Sequence, residues 1–248
     1  MMMSSRPTCA DNSDILNKLP AKQRAKVLEK IPTDLPLRVT ATLVDDDGYW
    51  RRCCTARWPV CDVAQHGGRW KRMFFERALQ QIVESTVPET TDPAELYETL
   101  ALAANYVRRL TVDQLLPPIR EKSRSKNGDR GGADGGGGSD GEGAGSDVGD
   151  DAGPSIDHFD FTVVLPRLPF LEELHVTYGV KNCGMNFEWN LFQFTGRDCR
   201  QLAGCVSACR TLRVLRLHRS KVDDDKVGLR VCLCLCCVCV CWCECVCV

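Results

Sequence analysis

The chain has 248 residues, a formal net charge of -1 and 26% charged residues, close to the average for soluble proteins. That balance asks for neither nucleic acid nor an anionic membrane as a partner, and the length allows one or two domains with real cores. The opening MMMSSRPTCADNSD has no apolar run, so no secretory signal is expected, and only the extreme tail is apolar enough to suggest a membrane span.

Residues 1–13 are expected to be disordered and residues 14–106 to form a helical domain. KLPAKQRAKVLEKIP places Pro20 at a helix start, Val27, Leu28 and Ile31 on one side, and Pro32 as the stop. TDLPLRVTATLV follows, with Thr33 or Asp34 as cap and Leu35, Val39 and Leu43 at helical spacing. DDDGYWRRCCTARWPVCDVAQHGG reads as a turn-rich stretch with Trp50, Trp58 and Trp70 in or beside it. RWKRMFFERALQQIVES then predicts a helix buried on a wide face, Trp70, Phe74, Ala78 and Ile82 flanked by Met73 and Leu79. TDPAELYETLALAANYV opens with Asp92 as cap, Pro93 at the first helical position and Glu95 completing a capping box.

A phrase then repeats. VRRLTVDQL begins at Val107, LEELHVTYG at Leu171 and LRVLRLHRS at Leu212, each apolar at its positions 1, 4 and 6. This is the strand signature of leucine-rich repeats, in which positions 4 and 6 of a short parallel strand point into the core. GRDCRQLAGCVSACRT supplies a return helix with Leu202, Ala203 and Val206 facing inward. The first two phrases lie 64 residues apart, but setting aside the 35 residues of a Gly/Ser/Asp insert at 121–155 leaves 29, an ordinary repeat length. That insert has no apolar periodicity and is expected to be a disordered, acidic, Gly-rich loop. The second spacing of 41 contains the aromatic excursion NCGMNFEWNLFQF. The predicted architecture is therefore α/β. A short, truncated leucine-rich-repeat solenoid (first strand in 107–120, further repeats in 156–226) follows the small helical domain. The third strand is expected to have no helix or polar cap after it.

The last eighteen residues, VCLCLCCVCVCWCECVCV, hold nine of the 17 cysteines. Metallothionein-like chains space Cys-x-Cys with small polar residues, not Val, Leu and Trp, and Glu244 is out of place in a span. As a strand the segment would alternate without a break and form an aggregation-prone edge. Read as codons, a TG dinucleotide repeat encodes alternating Cys and Val. Leu, Trp and Glu codons lie one base away, and Lys226-Val227-Gly228 fits an exon end followed by a splice donor. Residues 227–248 are accordingly expected to be translated intron.

No catalytic arrangement stands out. His66, His158, His175 and His218 have no nucleophile at a motif offset, and the glycines at 135–138 lack the Lys-Ser/Thr of a phosphate loop. Asp45–Asp47 and Asp223–Asp225 lack calcium-loop spacing and read as turn or cap residues. Cys9, Cys53, Cys54, Cys61, Cys183, Cys199, Cys205 and Cys209 match no zinc site and read as free, reduced thiols in a cytosolic protein. No enzyme activity, cofactor, metal or small-molecule substrate is expected. Binding is better supported, because WRRCC and RWKRMFF combine arginine with tryptophan, types enriched at interface centres. Trp50 and Trp70 favour the core, whereas Arg51, Arg52, Lys71 and Arg72 favour an interface. On the strands the outward residues are Arg108, Arg109 and Thr111, then Glu172, Glu173 and His175, then Arg213, Arg216 and His218. Such a mixed polar face suits protein partners rather than a long polyanion.

Four segments, LVDDDGYWRRCCTARWPVCDVAQHGGRWKRMFFER, NYVRRLTVDQLLPPIR, VKNCGMNFEWNLFQFTGRDC and LRLHRSKVDDDK, closely resemble the dynein regulatory complex subunit 5 family. The resemblance runs from about residue 15 to 226. It implies a leucine-rich-repeat scaffold of the nexin–dynein regulatory complex in the axonemes of cilia and flagella, with other complex subunits and axonemal proteins as partners and no catalytic residues to carry over. The family continues with more repeats after KVDDDK. A looser likeness of residues 19–54 to an F-box, ahead of leucine-rich repeats, would instead imply a substrate adaptor of a ubiquitin ligase.

Overall fold

Burial separates the chain into a helical unit and a parallel sheet that share one apolar core. The computed structural model describes residues 16, 18–118, 158–183, 185, 194–218 and 239–243. The 121–155 insert, most of the aromatic excursion and most of the tail lie outside the described residues.

The helical unit comprises α1 (Ala21–Lys30), α2 (Leu37–Leu43), α3 (Asp47–Arg57), α4 (Trp70–Ser85) and α5 (Ala94–Ala103). Helix α1 follows Pro20 and stops before Pro32 as expected, yet it buries no residue fully. Leu28 and Ile31 lean on the core, while Val27 is exposed. Helix α2 differs from expectation. It starts at Leu37 after an N-cap Pro36 with no side-chain cap, and it buries Thr40 and Ala41 rather than Leu35 and Val39. Proline disfavours the helical region for the residue before it, so Leu35 cannot enter the helix and the buried stripe rotates.

The supposed turn-rich stretch is mostly helix. Asp46 caps α3 by accepting the Tyr49 N–H at 2.8 Å, an interaction worth about 1 kcal/mol. Tyr49, Trp50, Cys53 and Cys54 form its buried stripe. The Trp50 indole N–H donates to the Val44 carbonyl at 2.9 Å, and its ring packs on Phe74 and Phe75 with centroids 5.1 and 5.4 Å away. A 3-10 turn at Val63–His66 follows, ended by Gly67 at φ 66°, a left-handed conformation open to glycine.

Helix α4 has the predicted wide face: Met73, Phe74, Phe75, Ala78, Leu79 and Val83 are buried, with Trp70 and Ile82 beside them. In α5 the cap shifts by one position, Asp92 accepting the Ala94 N–H at 3.0 Å with Pro93 at the N-cap. Among the described residues no hydrogen bond returns from Glu95 to complete a capping box.

The repeated phrase forms β1 (Arg109–Val112), β2 (Glu173–Thr177) and β3 (Val214–His218), all parallel. Leu110 aligns with Leu174 and Leu215, and Val112 with Val176 and Leu217. Those six side chains, with Val107, Leu171 and Leu212 at position 1, are buried. Period-two alternation leaves Arg109, Glu173 and Val214 in one outward row and Thr111, His175 and Arg216 in the next. Helix α6 (Gly196–Ala208) precedes β3 and buries Leu202 and Val206 with Cys199 and Cys205. Its Thr195/Asp198 capping box is complete. Backbone of the cysteine-rich tail, Cys239–Cys243, forms β4 alongside β3, so the sheet order is β1-β2-β3-β4. Residues 219–238, between β3 and β4, lie outside the described residues.

Candidate functional site

The first cluster of interest lies where the helical unit meets the sheet. Glu76 of α4 is nearly buried, and its carboxylate accepts four donors. The backbone N–H groups of Arg108 and Arg109 each donate to Oε1 at 2.8 Å, as does Arg72 Nε, while His66 Nδ1 meets Oε2. Burial by itself would raise the Glu76 pKa, but the hydrogen bonds from His66, the two backbone N–H groups and Arg72 outweigh it and hold the carboxyl below its ordinary value. Two turns along α4, Glu84 accepts the Asp113 N–H at 2.8 Å. Gln80 lies between them and donates to Glu84 at 2.7 Å. One helix thus satisfies backbone donors at both ends of β1, on the edge that β2 leaves open.

The second cluster is the outward face of the sheet. Arg109 grips Glu173 through two bonds, Nε to Oε2 at 2.9 Å and Nη2 to Oε1 at 3.1 Å. That pairing, the leading cause, lowers the Glu173 pKa. Arg216 Nη1 lies 3.0 Å from His175 Nε2. A guanidinium only donates, so Nε2 accepts and the imidazole is neutral with its proton on Nδ1. Burial, followed by the charges of Arg216 and Arg109, pushes the His175 pKa down to about 4. The 3.4 Å approach of Nε2 to Glu173 is then a close contact rather than a hydrogen bond, because neither the unprotonated Nε2 nor the ionised carboxylate has a proton to donate. The His218 ring stands edge-on to His175 at 5.8 Å.

The expected interface residues fare unequally. Arg109, Glu173, His175, Arg216 and His218 do converge on one face, and Glu172 and Arg213 are exposed beside it. Arg108 turns away and stacks on Phe170 at 4.5 Å. Arg51 is exposed over Trp70. The remaining three are occupied inside the fold, contrary to expectation. Arg52 donates to the carbonyls of Leu28, Glu29 and Ile31 and so closes the end of α1. Lys71 is only 4% exposed, paired with Asp45 at 3.1 Å and set over the Tyr106 ring at 4.4 Å. Arg72 serves Glu76. Arginines and lysines next to tryptophan reach back over the core with their long stems as readily as they face a partner.

Glu76, Glu84 and the buried His158–Asp198 pair (2.8 Å) were not anticipated as organising residues. The i, i+8 carboxylates beside the wide apolar face of this helix are the one signal that points to Glu76 and Glu84. The thiols of Cys53, Cys54, Cys61, Cys183, Cys199, Cys205 and Cys209 are free, as expected. Burial pushes Cys54 up to about 12 and Cys205 up to about 11, which keeps both in the unreactive thiol form.

A helical unit packed along one edge of a parallel sheet, with polar residues of the outward face paired across the strands, defines a mixed α/β protein. No family model matches the chain. Dynein regulatory complex subunit 5 of Mus musculus is 49% identical over 220 residues, covering 89% of this chain and 42% of the relative. The Homo sapiens protein of that name is 49% identical over 212 residues (86% of this chain, 40% of the relative), and that of Chlamydomonas reinhardtii 30% over 210 residues (84% and 44%). The chain belongs to the dynein regulatory complex subunit 5 family over the region matched. It spans about two fifths of the length of these relatives.

Proposed function

We propose that the chain is a non-enzymatic structural subunit of the axonemal nexin–dynein regulatory complex, supporting dynein-driven motility of cilia and flagella through protein–protein contacts. The observation that carries this is its identity of 49% with two mammalian relatives named for that complex and 30% with an algal one. Within this proposal the three in-register strands are the opening of a leucine-rich-repeat solenoid. Support comes from positions 1, 4 and 6 of the repeated phrase all entering the core. Arg109, Glu173, His175, Arg216 and His218, with Glu172 and Arg213 alongside, are the residues this proposal assigns to partner contact. The partners are other subunits of the complex and axonemal proteins, in the cytoskeleton of the cilium or flagellum. Nucleic acid, membrane and small-molecule substrate have no part in it.

The test is to express the tagged chain in ciliated cells and fractionate it. Retention on salt-washed axonemes is expected. Recovery in the soluble fraction, bound to a ubiquitin-ligase core, would decide for the adaptor alternative.

A further inference from the structure

We infer that an arginine–aromatic patch beside the start of β1 docks an acidic segment of a partner polypeptide, a carboxylate flanked by aliphatic side chains. The patch has four members. Phe170 and Tyr97 are large rings left 44% and 42% exposed. Arg108 lies over the Phe170 ring at 4.5 Å and Arg167 over the Tyr97 ring at 5.0 Å. Arg167 and Phe170 sit three residues apart on the tight turn that leads into β2, and Arg108 anchors to Asn105, just beyond the helix that carries Tyr97.

Each guanidinium is held on a second side as well. Arg167 Nη1 donates to the Val163 carbonyl at 2.6 Å and Arg108 Nη1 to the Asn105 carbonyl at 3.2 Å. Stacking plus a carbonyl anchor fixes both groups in advance, so little side-chain freedom remains to be lost on binding. Neither has a carboxylate partner among the described residues. The contrast with the next residue is direct, because Arg109 is fully committed to Glu173. Two preset cations beside two exposed rings match the composition of interface centres, where arginine and aromatic residues are enriched. The open N–H edges select a carboxylate and the ring faces select apolar side chains. A polyanion would need a longer cationic track than two arginines, and a bilayer a broader apolar surface than two rings.

The inference rests on the proposed role as an interaction subunit, and the experiment separates the two. Axonemes lacking the homologous subunit are incubated with the purified full chain and sedimented. Wild-type chain that stays in solution sinks the proposed role, and this inference with it. If wild type sediments, R108Q/R167Q and F170S/Y97S should each bind at least tenfold more weakly, with R108K/R167K between them and wild type. K22Q, at an exposed lysine on α1, should bind as wild type does. Circular dichroism confirms that each variant is folded. A photo-cross-linking residue at position 170 should map to a segment of another polypeptide rich in Asp or Glu. Variants that sediment like wild type would overturn the inference, as would cross-links to a second copy of this chain, to lipid, or to a segment without carboxylates.

Discussion

Glu76 is the residue on which most of the described architecture converges. Its carboxylate answers four donors from three parts of the chain: a 3-10 turn, its own helix and the start of β1. Replacing it by glutamine keeps the shape but removes the charge and sets an N–H₂ group against donors. We predict that Glu76→Gln lowers unfolding free energy by roughly 2–4 kcal/mol, measured by urea titration of the full chain. Because the folded pKa lies below the ordinary carboxylate value, the contribution is fully present above about pH 4.5 and is lost as pH falls through the folded value. His175 acts in a higher window. Its pKa falls from 6.5 to about 4 on folding, so the unfolded chain binds the extra proton between those values. Stability is therefore intact above pH 6.5 and declines as the solution is acidified toward pH 4. In His175→Gln the part of that decline due to this ring, roughly 1–3 kcal/mol, should vanish. Denaturation at pH 4.5 and 7 checks it, and an unchanged difference between the two would refute the assignment. Neither residue's role was legible from sequence. A lone histidine in a strand and a glutamate in a helix owe much of these environments to distant neighbours, Arg216 standing 41 positions from His175 and Arg108 standing 32 from Glu76.

At the scale of elements, legibility followed periodicity. The phrase with apolar residues at positions 1, 4 and 6 placed three strands and their inward faces correctly, and α4 showed its wide apolar face. Helix α3 was misread because Asp, Gly and Trp dominate its opening. Its buried residues 49, 50, 53 and 54 nonetheless recur at helical spacing, and their packing outweighs weak local propensity. The capping box at Thr195 was not anticipated either, although Thr-x-x-Asp stands in the sequence. Two predictions belong here. Leu174→Ala, at the centre of the aligned leucine row, should cost 2–5 kcal/mol, as burying a cavity between two strands does (roughly, by analogy with other cores). Thr195→Ala should cost roughly 0.5–2 kcal/mol and raise amide exchange in the first turn of α6 before other regions. Uniform exchange along that helix would show that the cap does not control its fraying.

For the whole molecule, resemblance located the family and the repeated phrase located the strands, but neither revealed how the two units join. That join depends on α4 placing Glu76 and Glu84 against backbone donors 29 to 33 residues ahead. Side-chain-to-backbone contacts of that kind leave no trace in hydrophobic pattern. The outward charges were recognised by type, but their mutual pairing depends on strand register. Arg108 and Arg167, unlike Arg109, have ring partners and no carboxylate partner among the described residues.

The carboxylates of α4 also give the sheet a direction of assembly. An edge strand ordinarily offers unpaired N–H groups to any passing chain, yet at β1 the donors of Arg109 and Asp113 are already taken. Strand addition is thereby disfavoured on this side relative to the far one. Helix α4 precedes β1 in the chain, so a ribosome delivers the blocking element before the strand it protects. Folding can then proceed vectorially, from a closed end toward an open one, as each later strand emerges.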